Sequence, residues 1–104
     1  MNAGRYVFAY TITILNTGSV AAHLISRHWI ITDSNNHVQE VRGRGVVGEQ
    51  PFLRPSEKFE YTSGTQMATA QGSMYGEYFC VAEDGHRFEV PIPEFVLTLP
   101  HALH

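Results

Sequence analysis

The chain has a single cysteine, Cys80, so it can form no intrachain disulfide and no thiolate-rich zinc site. The apolar setting Tyr78-Phe79-Cys80-Val81 points to a buried, structural thiol. No run approaches the roughly 18 to 20 apolar residues that a membrane helix requires. Met1-Asn2-Ala3-Gly4-Arg5 lacks the basic-then-apolar pattern of a secretory leader. Basic charge is not in excess: seven Lys and Arg stand against ten Asp and Glu. They are scattered, which argues against a specific nucleic-acid partner or an anionic membrane surface. Convincing helical periodicity is also missing. These absences leave one cytoplasmic domain over residues 1–104, with 101–104 expected as a flexible polar tail.

What is present is alternation. Tyr6, Phe8, Tyr10, Ile12 and Ile14 fall on one face of a strand over Tyr6–Leu15. Asn16-Thr17-Gly18-Ser19 reads as a turn into a strand His23–Thr32, with Ile25, Trp29 and Ile31 on one face and Trp29 as core anchor. After the breaker Asp33-Ser34-Asn35-Asn36-His37, a third strand is expected over Val38–Val47. Pro51–Ser56 reads as a loop, followed by strands Lys58–Ser63, Met74–Ala82, Arg87–Ile92 and Phe95–Leu99. About seven short strands over some 100 residues predict an all-β, immunoglobulin- or fibronectin type III-like two-sheet sandwich, with a small barrel as the competing closure. Tyr78, two residues before Cys80, matches a tyrosine corner, whose hydroxyl ties a loop to strand backbone.

Gly43-Arg44-Gly45-Val46-Val47-Gly48 has the glycine spacing of a dinucleotide-binding loop, but Glu49-Gln50-Pro51-Phe52-Leu53-Arg54-Pro55 cannot supply the helix on which pyrophosphate would rest. Gly43, Gly45 and Gly48 then allow a bulged strand and a tight turn, or hold an anion by another route. Arg42, Arg44 and Arg54 make this segment the candidate surface for an acidic partner or a weakly held anion or nucleotide. Exposure of Phe52 or Tyr75 beside it would add an apolar anchor. The six histidines show no local metal-site spacing, and Asp33, Asn35 and Asn36 lack a full calcium-loop pattern. His28 is expected opposite Trp29 on its strand. Ser63, His28 and Asp33 make a triad only on paper, and Glu57, Glu60 and Glu77 show no hydrolase spacing. No motif requires a cofactor.

Several separated segments together resemble the ApaG family, also called CorD. They are Phe8-Ala9-Tyr10-Thr11-Ile12-Thr13-Ile14, Ser26 to Asp33, Val41 to Pro51, Phe59-Glu60-Tyr61-Thr62-Ser63-Gly64 and Gly72-Ser73-Met74-Tyr75-Gly76. The resemblance implies a small bacterial fibronectin type III-like sandwich, with related domains in eukaryotic F-box and polymerase-interacting proteins. It also implies a gene neighbourhood of diadenosine-tetraphosphate hydrolysis and ribosomal-RNA methylation, and an association with cobalt resistance and magnesium efflux. It carries no catalytic residues onto this chain, only the glycine motif. Where the family usually has proline followed by glycine, this chain has Pro55-Ser56, so the turn is expected not to demand a left-handed residue. The function expected is a non-enzymatic protein-interaction module. The alternatives are a nucleotide- or divalent-cation-responsive protein and, more remotely, hydrolysis of a dinucleoside polyphosphate.

Overall fold

A computed structural model describes residues 5–99, and the expected tail at 101–104 lies outside them. The strands are β1 (Tyr6–Leu15), β2 (Ala22–Asp33), β3 (Val38–Arg44), β4 (Phe52–Leu53), β5 (Lys58–Met67), β6 (Gln71–Ala82) and β7 (Arg87–Thr98). They form two antiparallel sheets, a two-stranded β1-β5 and a larger one in the order β3-β2-β6-β7, to which β4 adds beside β2. The chain is an all-β sandwich.

Strand alternation places the core. Along β1, Tyr6, Phe8, Tyr10, Ile12 and Ile14 turn inward while Val7, Ala9, Thr11, Thr13 and Leu15 are exposed. One core cluster gathers Phe8, Trp29, Ile31, Met67, Met74 and Leu97, and a second gathers Leu24, Val46, Tyr61, Tyr78 and Cys80. Each fully buried aliphatic or aromatic side chain stabilises the fold by about 1.5–3 kcal/mol. Trp29 sits edge-to-face with Tyr10, Tyr78 and Phe95, at centroid distances of 5.6, 6.3 and 6.0 Å. Aromatic quadrupoles favour that arrangement.

Four features depart from the sequence reading. A bulge between Leu24 and Ser26 inserts Ile25 into β2, so Leu24, at 3% exposure, replaces Ile25 on the face of Trp29 and Ile31. β3 stops at Arg44 instead of Val47 because Gly45 takes φ +61° and turns the chain. The segment expected as a loop contains β4, because Phe52 and Leu53 pair with His23 and Ala22 just beyond that bulge. The two final strands are one: β7 runs through Pro91 and Pro93 as an edge strand, where a missing N–H costs no ladder bond, and a register shift opposite Met74 and Gly76 absorbs an extra residue.

Two further expectations are corrected at residue level. Tyr78 is buried, but its hydroxyl meets the hydroxyl of Tyr61 in the opposite sheet, so it is a side-chain bridge between sheets and not a backbone-tying corner. Ser56 does adopt a left-handed conformation, with φ +71°. Pro55 and Ser56 are the central residues of a turn closed by a 3.0 Å bond from the Glu57 N–H to the Arg54 carbonyl. Proline first and positive φ second is the type II pattern, which demands that conformation whatever residue occupies it.

Candidate functional site

The glycine motif builds a hairpin tip. β3 pairs with β2 from Val38 to Arg44, the Gly45 N–H bonds the Ile25 carbonyl at 2.8 Å, and β4 rejoins β2 at His23. Between these anchors, Val46 and Glu49 exchange backbone hydrogen bonds of 2.8 and 2.9 Å around Val47 and Gly48. Both central residues have positive φ, +44° and +80°, as in a type I′ turn. Gly45 is required twice: for its φ, and because a Cβ there would meet the Glu49 carbonyl oxygen. The turn drives Val46 into the second core cluster, where it has no exposed surface. The N–H groups of Gly45, Val46 and Glu49 are thereby spent on the chain's own carbonyls, so the motif works mainly as a fold element.

Gly43 serves a different need. It lies opposite Arg27 on β2, and a Cβ there would fall 2.7 Å from the Arg27 guanidinium. The missing side chain lets Arg27 Nη1 donate to the carbonyls of Arg44 and Gly45, at 3.1 and 3.0 Å. Arg27 thus holds the root of the hairpin, and sequence reading missed it because an arginine beside a histidine on a strand looks like an ordinary surface charge.

Two of the candidate arginines lie on the outer face of the larger sheet. Arg42 and Arg44 alternate outward on β3, opposite His28 and Ser26 of β2, which pair in turn with Glu77 and Phe79 of β6. His28 projects opposite Trp29, as the alternation predicts. Its Nδ1 lies 3.2 Å from Glu77 Oε1 and its Nε2 3.3 Å from Glu40 Oε2. The His28 imidazole, and after it the Arg42 charge, hold the Glu40 carboxyl below its usual range. Arg42 lies 3.4 Å from Glu40, and Arg54 lies 3.8 Å from Glu57 and over the Phe52 ring. The Arg44 side chain has no ion-pair partner among the described residues. Arg44 and Phe52 pair with Ser26 and His23, so they are about 10 Å apart along β2 by strand rise.

Val38, Tyr75 and Val96 are exposed on the outer face of the larger sheet, at 62%, 44% and 63%, and Val47 and Phe52 are exposed on the glycine-bearing segment, at 49% and 39%. Tyr75 pairs with Ile30 in the middle of the sheet, so of the two aromatics considered only Phe52 belongs to the arginine-bearing segment. Val47 carries no sequence signal beyond its place in the motif. It is a β-branched residue in the left-handed region, a rare and strained combination.

Catalytic alternatives are not assembled. Ser63 pairs with Tyr10 in the small sheet, and His28 lies between two glutamates. Asp33, buried at 8%, spends Oδ1 on the N–H groups of Asn35 and His37. Glu60 accepts from Thr13 Oγ1 at 2.9 Å, and Glu57 caps the Arg54 N–H at 2.7 Å. Among the described residues, no three His, Cys, Asp or Glu side chains converge to hold a metal ion. Among the same described residues, no helix is long and apolar enough to cross a membrane. Cys80 is buried and its thiol pKa is raised by desolvation, the opposite of an activated nucleophile.

Comparison with known proteins completes the assignment. A protein from Ralstonia nicotianae named Protein ApaG is 66% identical over 100 residues, covering 96% of this chain and 81% of its own length. One of the same name from Dechloromonas aromatica is 67% identical over 96% of this chain and 79% of its own. The crystal structure of the putative ApaA protein from Bordetella pertussis superposes with a TM-score of 0.90 at 61% identity, over 95% of this chain and 80% of that one. The family model described as the ApaG domain matches residues 1–82, and the chain belongs to the ApaG domain family.

Proposed function

We propose that this protein is a non-enzymatic interaction module that recognises a protein partner with the hairpin tip and the arginines around it. The observation that carries the reading is Val47. A β-branched residue at φ +44° costs on the order of 1–3 kcal/mol, and here that cost places half of an apolar side chain in solvent at the end of a rigidly rooted turn. Asparagine at this position would relieve the strain, so retained strain is best explained by a contact made through the side chain. Arg44 and Arg54 flank the tip with charges suited to acidic groups on the partner, and Phe52 supplies a second apolar contact.

Capture from native cell extract tests this, using wild type, Val47→Asn and the double variant Arg44→Glu/Arg54→Glu, with quantitative mass spectrometry. A partner held by wild type and lost with both folded variants is the expected result. Unchanged capture by both removes this surface from consideration.

A small anion is the second reading, supported by a cavity of about 190 Å³ that Arg42 and His28 line on the outer face. Glu77 and Glu89 line it too, which opposes a tightly bound phosphate. Calorimetry with pyrophosphate-containing nucleotides, with and without magnesium or cobalt, separates the readings: heat that disappears in Arg42→Gln supports the anion, and no heat leaves the interaction module.

A further inference from the structure

The outer face of the larger sheet is organised in rows. β3, β2, β6 and β7 lie in that order, and their registers set outward-facing residues side by side. Val38 and Val96 end one row, joined through Thr32 and Ser73. Arg44 and Glu89 end another, joined through Ser26 and Phe79. Between these rows, Ile30 pairs with Tyr75 and His28 with Glu77. Val38, Tyr75 and Val96 are exposed and Ile30 is half-buried, so apolar surface stands in solvent at one end of the face and across its middle. Arg44 and Glu89 cannot meet within one chain, because they are three strand spacings apart, about 14 Å. Neither has an ion-pair partner among the described residues.

A two-fold axis along the strands, between β2 and β6, turns these row ends into partners. It lays β3 on β7 and β2 on β6 of a second copy while keeping each row opposite itself. Val38 then faces Val96, Ile30 faces Tyr75, His28 faces Glu77 and Arg44 faces Glu89, and each meeting occurs twice, as in any isologous interface. The other two-fold in the plane of the face runs across the strands and keeps β7 against β7. It brings Glu89 toward Glu94 or Val96, which satisfies no charge. Sheets that pack face to face are rotated on one another by about 30°. The rotation displaces the corners of the face most, and there the long side chains of Arg44 and Glu89 can follow.

We infer that this face is a self-association surface, which takes the same face of a second copy in an isologous, sheet-on-sheet dimer. The match of apolar with apolar and of charge with opposite charge, row by row, selects a second copy as the occupant. The dimer is weak for two reasons. Four strands and seven residues give a footprint of only about 19 by 23 Å per copy, smaller than the roughly 800 Å² that each partner buries in a standard interface. One meeting is also unfavourable, since Glu40 comes opposite Glu94 at the β7 bulge, where Glu94 accepts from Ser73 Oγ at 3.1 Å. A Kd on the order of 10–100 µM is expected. The face shares only Arg44 with the hairpin tip, so the inference stands apart from the partner proposed for that tip.

Sedimentation of the full chain from about 1 µM to about 1 mM tests this, a range that brackets the expected Kd. Wild type should pass from monomer to dimer across it. Tyr75→Ala, Arg44→Glu and Glu89→Arg, all at exposed positions, should each raise Kd by about tenfold. The double variant Arg44→Glu/Glu89→Arg should return toward wild type. The two positions are too far apart to compensate within one chain, so rescue reports a contact between copies. Val47→Asn should dimerise as wild type does, so loss of the tip's partner and loss of the dimer are read separately. Three outcomes overturn the proposal: a monomer at every concentration, whether the face is idle or reserved for a different protein; a dimer that Tyr75→Ala leaves intact; or a double variant no tighter than the single charge reversals.

Discussion

The hydroxyl of Tyr61 lies 2.6 Å from that of Tyr78, joining the two sheets inside the second core cluster. Burial raises the pKa of both phenols, most strongly that of Tyr78. Each partner satisfies the other's polar atom, so the pair matters more for what its loss exposes than for the bond itself. Tyr61→Phe or Tyr78→Phe alone leaves one buried hydroxyl unpaired and should cost about 1–3 kcal/mol, whereas the double Phe variant should be nearer to wild type than the single costs added together. Urea denaturation of the four proteins measures this, and simple additivity would mean that the hydroxyls are not coupled.

The same pair sets an alkaline limit. An unfolded tyrosine ionises near its ordinary value of 10.0, while the folded pair ionises higher. The unfolded chain therefore releases protons first. Stability from these groups is complete below about pH 10 and declines as pH rises above it. Denaturation midpoints between pH 8 and 11 should fall at the upper end in wild type and fall less in the double Phe variant.

The three motif glycines should differ sharply on substitution. Gly48→Ala meets no atom within 4 Å and suffers only from its positive φ, a cost of about 1 kcal/mol. Gly45→Ala adds a collision with the Glu49 backbone carbonyl, which only a change in turn geometry can relieve, so it should cost about 3 kcal/mol or more. Gly43→Ala displaces the Arg27 guanidinium from its two carbonyls and should fall between them. Equal costs across the series would show that the motif acts through composition and not through these contacts.

The layered architecture was legible in the sequence because Tyr6 to Ile14 alternate without interruption and half-buried strands have period two. Bulges were not legible. An inserted Ile25 swaps the face of every residue before it, and nothing in His23-Leu24-Ile25-Ser26 marks the position. The glycine spacing was visible, but its use was not. Whether such a loop surrounds a phosphate or its own Glu49 carbonyl depends on pairing with β2, a non-local fact. Arg27 and Tyr61 were missed for the same reason, since each acts on a residue in another strand.

Glu40 offers a test of the outer face in acid. Its carboxyl is held below the usual range first by His28 and then by Arg42, so its interactions are complete above about pH 4.5 and disappear as pH falls through its lower folded pKa. Carboxyl titration by NMR should show Glu40 ionising below an ordinary glutamate. His28→Gln should move it toward the ordinary value by more than Arg42→Gln does, because the imidazole is the larger influence. The reverse order would mean that Arg42 organises this face, and that Glu40 competes with a partner's acidic groups for that arginine.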